Sequence, residues 1–410
     1  MPAVEAVRSQ APSWRGGFGR LWTAAVVSRF GDALRIAALP LLAASLTDKP
    51  LLVALVTASG YLPWILFGLV GGAVADRVDQ RRAMWVVDLV RGLLLAAFAV
   101  AVAQGAATIG LLIVLAFALT TLQTLFDNAA TALLPALVDA GGLGSANARL
   151  QTGQQVAGAF LATPLVPVLL ALGAAMPYAA DAATYLLAAA LIASLPVSAS
   201  RAGARGGLHG TLRADIAEGL RVLWRDRTLR GLCVATTLCN IGIGGLIATL
   251  VLLVTGRLGG SETAYALCLS AYGVGSVVGG FCASRVERRL GRIRSVFLAG
   301  SVQIVPLLVI GTAHSVRAVA ASFVVFGFMG MVWNVNQVTL MQQRAPVAML
   351  GRISAAFRTL SLGGAPLGAL LGGALAAAWG LNTPALFAAA LFVLAVAALL
   401  PALKSAATCP

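Results

Sequence analysis

The chain has 410 residues, of which 60% are hydrophobic and only 10% charged, and its mean hydropathy is +0.92. So few charges cannot cover a water-facing surface of this size, which excludes an ordinary soluble enzyme or binding domain. The net charge of +15 has no basic soluble domain to carry it. It reads as a topology signal and as contact with anionic lipid headgroups, and not as nucleic-acid recognition.

Apolar stretches long enough to cross about 30 Å of hydrocarbon recur from end to end. They predict an all-α membrane protein with twelve spans, each bounded to within a few residues. Residues 1–17 form a polar tail without a cleavable signal pattern, so the first span directs insertion. That span, 18–46, carries Arg29, Asp32 and Arg35 at i, i+3, i+6, with Gly31 beside them. A charge costs roughly 2.5–3.5 kcal/mol at the bilayer centre on insertion scales, so these three need a reason to be there.

The second span, 51–74, ends in Gly68-x-x-x-Gly72 and runs into a charged turn, Gly71–Arg82, GGAVADRVDQRR. The same stretch returns 208 positions later as Gly279–Arg289, GGFCASRVERR, with Gly72, Ala75, Arg77, Val78 and Arg81 among the identities. The offset also carries Asn128 onto Asn336 and Thr131 onto Thr339. The chain is therefore duplicated, and its repeat joins two apolar helices by a basic turn.

Span 83–104 opens with Asp88 and Arg91 at i, i+3, and span 108–135 closes with Gln123, Asp127, Asn128 and Thr131. The polar turn 139–149 leads into span 150–174, which starts with Gln151, Gln154 and Gln155 and is broken by Pro164 and Pro167. Proline removes a donor and bends a helix, a device tolerated where two conformations interconvert. Span 177–196 contains Asp181, one turn in from the outer face, read as a hydrogen-bonded helix-end residue.

Residues 197–228 form the one long loop. Its front is rich in Ser, Gly and Arg and reads as flexible. Its rear places Leu212, Ile216, Leu220 and Leu223 on one face, an amphipathic helix on the inner leaflet. This loop separates two six-helix bundles, 18–196 and 229–403, with a short tail at 404–410.

The second bundle comprises spans 229–255, 263–284, 293–313, 316–342, 353–379 and 382–403. They carry Asn240, then Tyr265 and Tyr272, then Trp333, Asn334, Asn336 and Gln337, of which Trp333, Asn336 and Gln337 share one helical face. Together with Gln123, Gln151, Gln154, Gln155 and Arg358 they are candidates to line a cavity of mixed polarity for amphipathic solutes. Polar glue between helices is the alternative for the same residues. Span 353–379 also holds Gly364-x-x-x-Gly368-x-x-x-Gly372 and Pro366. That spacing lets backbones approach closely, or reflects only a chain with 45 glycines.

Lysine and arginine total 29 and crowd the tail, the even-numbered turns and the central loop, whereas the opposite turns carry only Lys49, Arg257 and Arg317. The asymmetry puts both termini in the cytoplasm of a cell inner membrane. The five cysteines are odd in number and show no metal spacing, so free thiols are expected.

Twelve spans, two similar halves and the basic turn resemble the major facilitator superfamily, whose signature runs G-x-L-A-D-R-x-G-R-[KR]. Gly72, Ala75, Asp76, Arg77 and Arg81 match it, while Val74 stands for Leu, Asp79 for the second Gly and Gln80 for the first Arg. The version ADRVDQRR, the first-span SRFGDALRIAALPLL and the later LGSANARLQ are similar to the branch holding macrolide-efflux, enterobactin-exporter and secretion-effector proteins. The resemblance implies a gating role for the turn. Asp76 would cap the cytoplasmic end of the eleventh helix, where a helix N-terminus favours an anion. Arg77 would pair with Asp127, since a buried guanidinium needs a carboxylate. Asp88 and Arg91 would belong to the same gating network. It also implies that the sixth helix, with Asp181, packs outside the central cavity. Two antiporter marks are missing: the fifth span keeps Gly158 and Pro164 without flanking glycines, and Leu111–Asp127 holds no Arg.

These residues point to a monomeric secondary transporter, not an enzyme, working by alternating access; the resemblance implies export of an amphipathic drug or secondary metabolite against protons. No nucleotide-binding element, cofactor or metal set is apparent. Asp32 is the leading proton carrier, with Arg35; a permanent ion pair between Asp32 and Arg35 or Arg29 is the competing reading. A lipid or lysolipid flippase on the same fold, and a non-transporting membrane sensor, are the alternative functions.

Overall fold

A computed structural model describes residues 17–64, 66, 79–138, 143–195, 212–345 and 349–407. Among them the chain is helical and no strand occurs. The helices are α1 (Gly17–Leu46), α2 (Pro50–Ser59), α3 (Gln80–Ala103), α4 (Ile109–Leu137), α5 (Leu143–Gln155), α6 (Thr163–Leu172), α7 (Met176–Ala193) and α8 (Leu212–Arg225). They continue as α9 (Arg227–Leu252), α10 (Glu262–Leu290), α11 (Arg292–Thr312), α12 (Val316–Arg344), α13 (Leu350–Trp379) and α14 (Thr383–Ala407).

Nine helices among the described residues are long and apolar enough to cross a membrane, or ten when the pair α5 and α6, bent by 41°, counts as one span. Two of the twelve expected spans remain. One is α1, interrupted by Arg29, Asp32 and Arg35; the other is described only at its start, where α2 begins at Pro50. The bend between α5 and α6 has a local cause. Pro164 has no N–H to give, the preceding turn widens into a π-helical segment, Val156–Ala162, and the Thr163 hydroxyl donates to the Gly158 carbonyl at 3.0 Å. Other helix ends are set by ordinary caps. Asp79, the residue that departs from the superfamily signature, is the N-cap of α3 and accepts from the Arg82 N–H at 2.9 Å. Asp226 does the same for α9, accepting from Thr228 and Leu229 at 2.8 and 2.9 Å.

The chain forms two compact units. One comprises the described residues of 1–38, 67–107 and 118–207. Its core joins Phe18, Leu21 and Ala24 of α1, Met84 and Val87 of α3, Phe126 and Leu133 of α4, and Ala188 and Ile192 of α7. Gly31 of α1 lets α7 come close. A Cβ there would sit 2.3 Å from the Asp181 carboxylate and 3.1 Å from its Cα.

The other unit comprises 39–66, 108–117 and 208–410. The Gly364/Gly368/Gly372 stripe of α13 is its tightest seam, since a Cβ on Gly368 would lie 1.9 Å from the Ile241 carbonyl oxygen of α9. The spacing thus serves close backbone approach. At the end of this seam away from the basic turns, α2 lies on α9 and α13 through Ala54, Ala58, Ala248 and Ala369. Helix α8 packs on α13 with Leu223 fully buried, so the amphipathic helix is docked on protein as well as apolar on one face.

Large apolar side chains stand on the surface, among them Phe281 and Trp379 at 74% and 70% exposed. Such a surface suits lipid and not water.

Candidate functional site

The first unit buries a network of ionisable side chains in its middle. Asp32 and Arg35 lie three residues apart on α1, and Arg35 Nη2 donates to Asp32 Oδ1 at 2.6 Å. Arg35 Nε reaches across to Asp181 Oδ2 of α7 at 3.1 Å. From α3, Arg91 donates to Asp88 at 3.2 Å and to Asp32 at 3.3 Å. Arg91 also donates to the Gln123 side-chain oxygen of α4 and to the Tyr185 hydroxyl of α7. The Tyr185 hydroxyl donates to Asp32 Oδ1 at 2.6 Å, and its ring lies 3.9 Å from the Arg91 guanidinium carbon. Asp32 is thus the hub, accepting from two arginines and a tyrosine.

The buried core of this network holds three carboxyls, Asp32, Asp88 and Asp181, and two guanidiniums, Arg35 and Arg91. With all five ionised, one negative charge stays uncompensated in a low-dielectric site, which is costly unless a proton is taken up. Arg29 also bears on Asp32, but from an exposed position outside the buried core. Asp88 has one oxygen, Oδ2, buried and without a hydrogen-bond partner among the described residues. The arrangement can hold one proton on a carboxyl, while the two arginines hold the remaining carboxylates ionised.

The network gathers several residues expected to act separately. Asp32, Arg35, Asp88 and Arg91 meet in one cluster, and Gln123 joins it as a bridge, its amide donating to Asp127 at 2.7 Å. Asp181 and Tyr185 were not expected in it. Each pairs with residues more than 90 positions away, although their i, i+4 spacing on an Ala-rich helix is a readable signal. Gly72, Asp76 and Arg77 of the gating turn lie outside the described residues. Arg81 bonds the carbonyls of Ile192 and Ala193, capping the end of α7. Gln151 and Gln155 are exposed and Gln154 half-buried at the start of the bent α5–α6 span.

The second unit contains a cavity of about 570 Å³ lined from α9, α10, α12 and α13, with one residue each from α11 and α14. Its apolar walls are the aromatic rings of Tyr272, Phe326, Trp333, Phe357 and Phe392, and its polar groups include Asn240, Gln303, Asn334, Gln337 and Arg358. The Asn240 amide is tied to the Ser361 carbonyl at 2.8 Å. Trp333 and Gln337 line the cavity, as does Asn334. Asn336 does not: it is fully buried and donates back to the Val332 carbonyl of its own helix at 2.9 Å.

This volume and mixed lining suit a small amphipathic solute, where the range for ligand pockets is about 300–1,000 Å³. An ion network buried in one unit and a solute-sized cavity in the other, on apolar spans, are parts of a secondary transporter. Solved structures agree on the fold. The nucleoside transporter NupG superposes with a TM-score of 0.77 at 12% identity, over 95% of this chain and 99% of that one. A bacterial homologue of the iron transporter ferroportin in an inward-facing state gives 0.71 at 15% identity, over 94% and 98%. The chain has the major facilitator fold. Within that superfamily it belongs to the transmembrane secretion effector family, whose profile matches residues 8–408. Among its relatives are the multidrug efflux pump Tap of Mycolicibacterium fortuitum, 26% identical over 95% of this chain and 97% of that one, and y4rN, an uncharacterised MFS-type transporter of Sinorhizobium fredii, 26% identical over 87% and 88%.

Proposed function

We propose that this multi-pass transporter exports amphipathic compounds from the cytoplasm in exchange for protons. The observation that carries the reading is the buried core with one carboxyl more than guanidinium and an unpartnered oxygen on Asp88. A structural ion-pair cluster needs no such excess; a proton carrier does. The likeness to an efflux pump supports the direction. The seam of α2 on α9 and α13, at the end away from the basic turns, supports a gate that closes on the outer side.

In this reading the protein is a monomer in the inner membrane with both termini cytoplasmic. Residues 18–196 and 229–403 act as the two rocking bundles, joined by 197–228. The carboxyl cluster with Asp32 at its hub takes one proton from the outside and loses it inside, and Asp76, Arg77 and Asp127 form the inner gate. One charge crossing about 150 mV supplies roughly 3.5 kcal/mol, enough for a concentration ratio of a few hundred. In energised everted membrane vesicles, adding ethidium should release part of the stored proton gradient, read by a pH-sensitive dye. No release with ethidium or with a panel of other amphipathic dyes sinks proton-coupled export.

A second reading, lipid or lysolipid movement, has one observation in its favour. An apolar groove of about 520 Å³ runs between α1 and the α5–α6 span, lined by Trp22, Val26, Val156, Ala157 and Leu161, with Arg149 at its edge. A fluorescent lysophospholipid moved across proteoliposomes faster than by empty vesicles, with ethidium left behind, favours the flippase.

A further inference from the structure

We propose that Arg358 is a recognition group for an acidic substituent on the transported compound, presented by stacking on Trp64. The inference deepens the exporter reading, since the bound molecule is taken to be its cargo. Arg358 is the ninth residue of α13, about 12 Å along the helix from its first residue at 1.5 Å per residue. The apolar span itself starts at Ala356, so Arg358 sits near its end and, unlike the buried Arg35 and Arg91 of the other unit, its side chain is exposed at the cavity. Arg358 has no acidic partner among the described residues, and no acid lines the cavity into which it opens.

What Arg358 does have is an aromatic seat. Its guanidinium carbon is 4.7 Å from the centroid of the Trp64 ring. A cation–π contact of this kind spends none of the guanidinium's N–H donors on a hydrogen bond. Those donors form a planar fork matched to a carboxylate, sulfonate or phosphonate. Around the fork the cavity offers the rings of Tyr272, Trp333 and Phe357 for an apolar body and the amides of Asn240 and Gln337 for polar substituents. The ligand class that uses all of these is a planar or aromatic amphiphile carrying an acidic group. An arginine present only to hold the basic side of the membrane needs neither the ring nor the cavity.

The test is equilibrium binding of fluorescein, an anionic xanthene dye, and of rhodamine 6G, a cationic one of similar shape, to the purified protein in lipid nanodiscs. No gradient is needed. Wild-type protein should prefer fluorescein. Arg358→Gln should weaken fluorescein binding by about ten- to a hundredfold, the worth of one charged hydrogen-bonded contact, and leave rhodamine 6G unchanged or improved. Arg358→Lys keeps the topological charge and loses the fork, so it should weaken fluorescein by an intermediate factor. Equal affinity of wild type and Arg358→Gln for fluorescein overturns the proposal, as does an equal loss for both dyes or no fluorescein binding at all. Arg358-dependent binding in a protein that moves no protons keeps this subsite and removes the coupling; proton-driven ethidium export with Arg358-independent binding does the reverse.

Discussion

Replacing Arg91 by methionine removes the cation that ties α3 to α1, α4 and α7. Its side chain is fully buried and makes charged hydrogen bonds to Asp88 at 3.2 Å and Asp32 at 3.3 Å, besides those to Gln123 and Tyr185. Each charged bond is worth about 1.5–3 kcal/mol net, so two give roughly 3–6 kcal/mol. The lower half of that range is expected, because Asp32 keeps Arg35 and Tyr185 as donors. It agrees with about 3–5 kcal/mol for breaking a buried ion pair. The loss should also depend on pH in a definite sense. The variant leaves carboxylates without a counterion, so its folded state takes up more protons than the wild type does, and its deficit shrinks as pH falls. Thermal unfolding in detergent, followed by the fluorescence of the seven tryptophans, compares wild type, Arg91→Met and Arg91→Lys at pH ~8 and ~5. Arg91→Met as stable as wild type at pH ~8, or a deficit unchanged at pH ~5, refutes the network as described.

Tyr185→Phe deletes the hydroxyl that donates to Asp32 at 2.6 Å and should shift the pH profile of export while costing about 1.5–3 kcal/mol of stability; an unchanged profile removes Tyr185 from the proton path. Gly368→Leu puts a side chain where a Cβ already lies 1.9 Å from the Ile241 carbonyl oxygen, so α9 and α13 must part. Loss of folded protein on size-exclusion chromatography is expected, and a normal monodisperse yield contradicts the seam. Arg81→Ala uncaps α7 and should cost about 1–3 kcal/mol, seen as a lower unfolding midpoint with ethidium transport retained.

The sequence made the scaffold legible because hydrocarbon thickness fixes span length and charge asymmetry fixes order. Pairs on one helix were equally plain: Asp32 with Arg35, and Asp88 with Arg91, follow from i, i+3 spacing. The joining of those two pairs was hidden, since Asp181 and Tyr185 reach Arg35, Asp32 and Arg91 only after α7 docks on α1 at Gly31. An acid on an Ala-rich helix looked like an isolated helix-end group for want of a local partner. Asn336 shows the opposite failure. It shares a helical face with Trp333 and Gln337, yet its amide turns back to its own backbone and leaves the cavity to Asn334. The Asp79 departure from the superfamily signature has a local meaning, the N-cap of α3, that no comparison of motifs contains.

Whether the buried carboxyls move the proton is tested most directly by Asp32→Asn in proteoliposomes. The substitution leaves two carboxyls against two guanidiniums, and the amide oxygen can still accept from Arg35 and Tyr185, so the protein should fold. An imposed proton gradient should drive ethidium accumulation by the wild type and none by the variant, while exchange of ethidium down its own gradient persists in both. A folded Asp32→Asn protein that still concentrates ethidium under the gradient contradicts the proton-carrier role of Asp32.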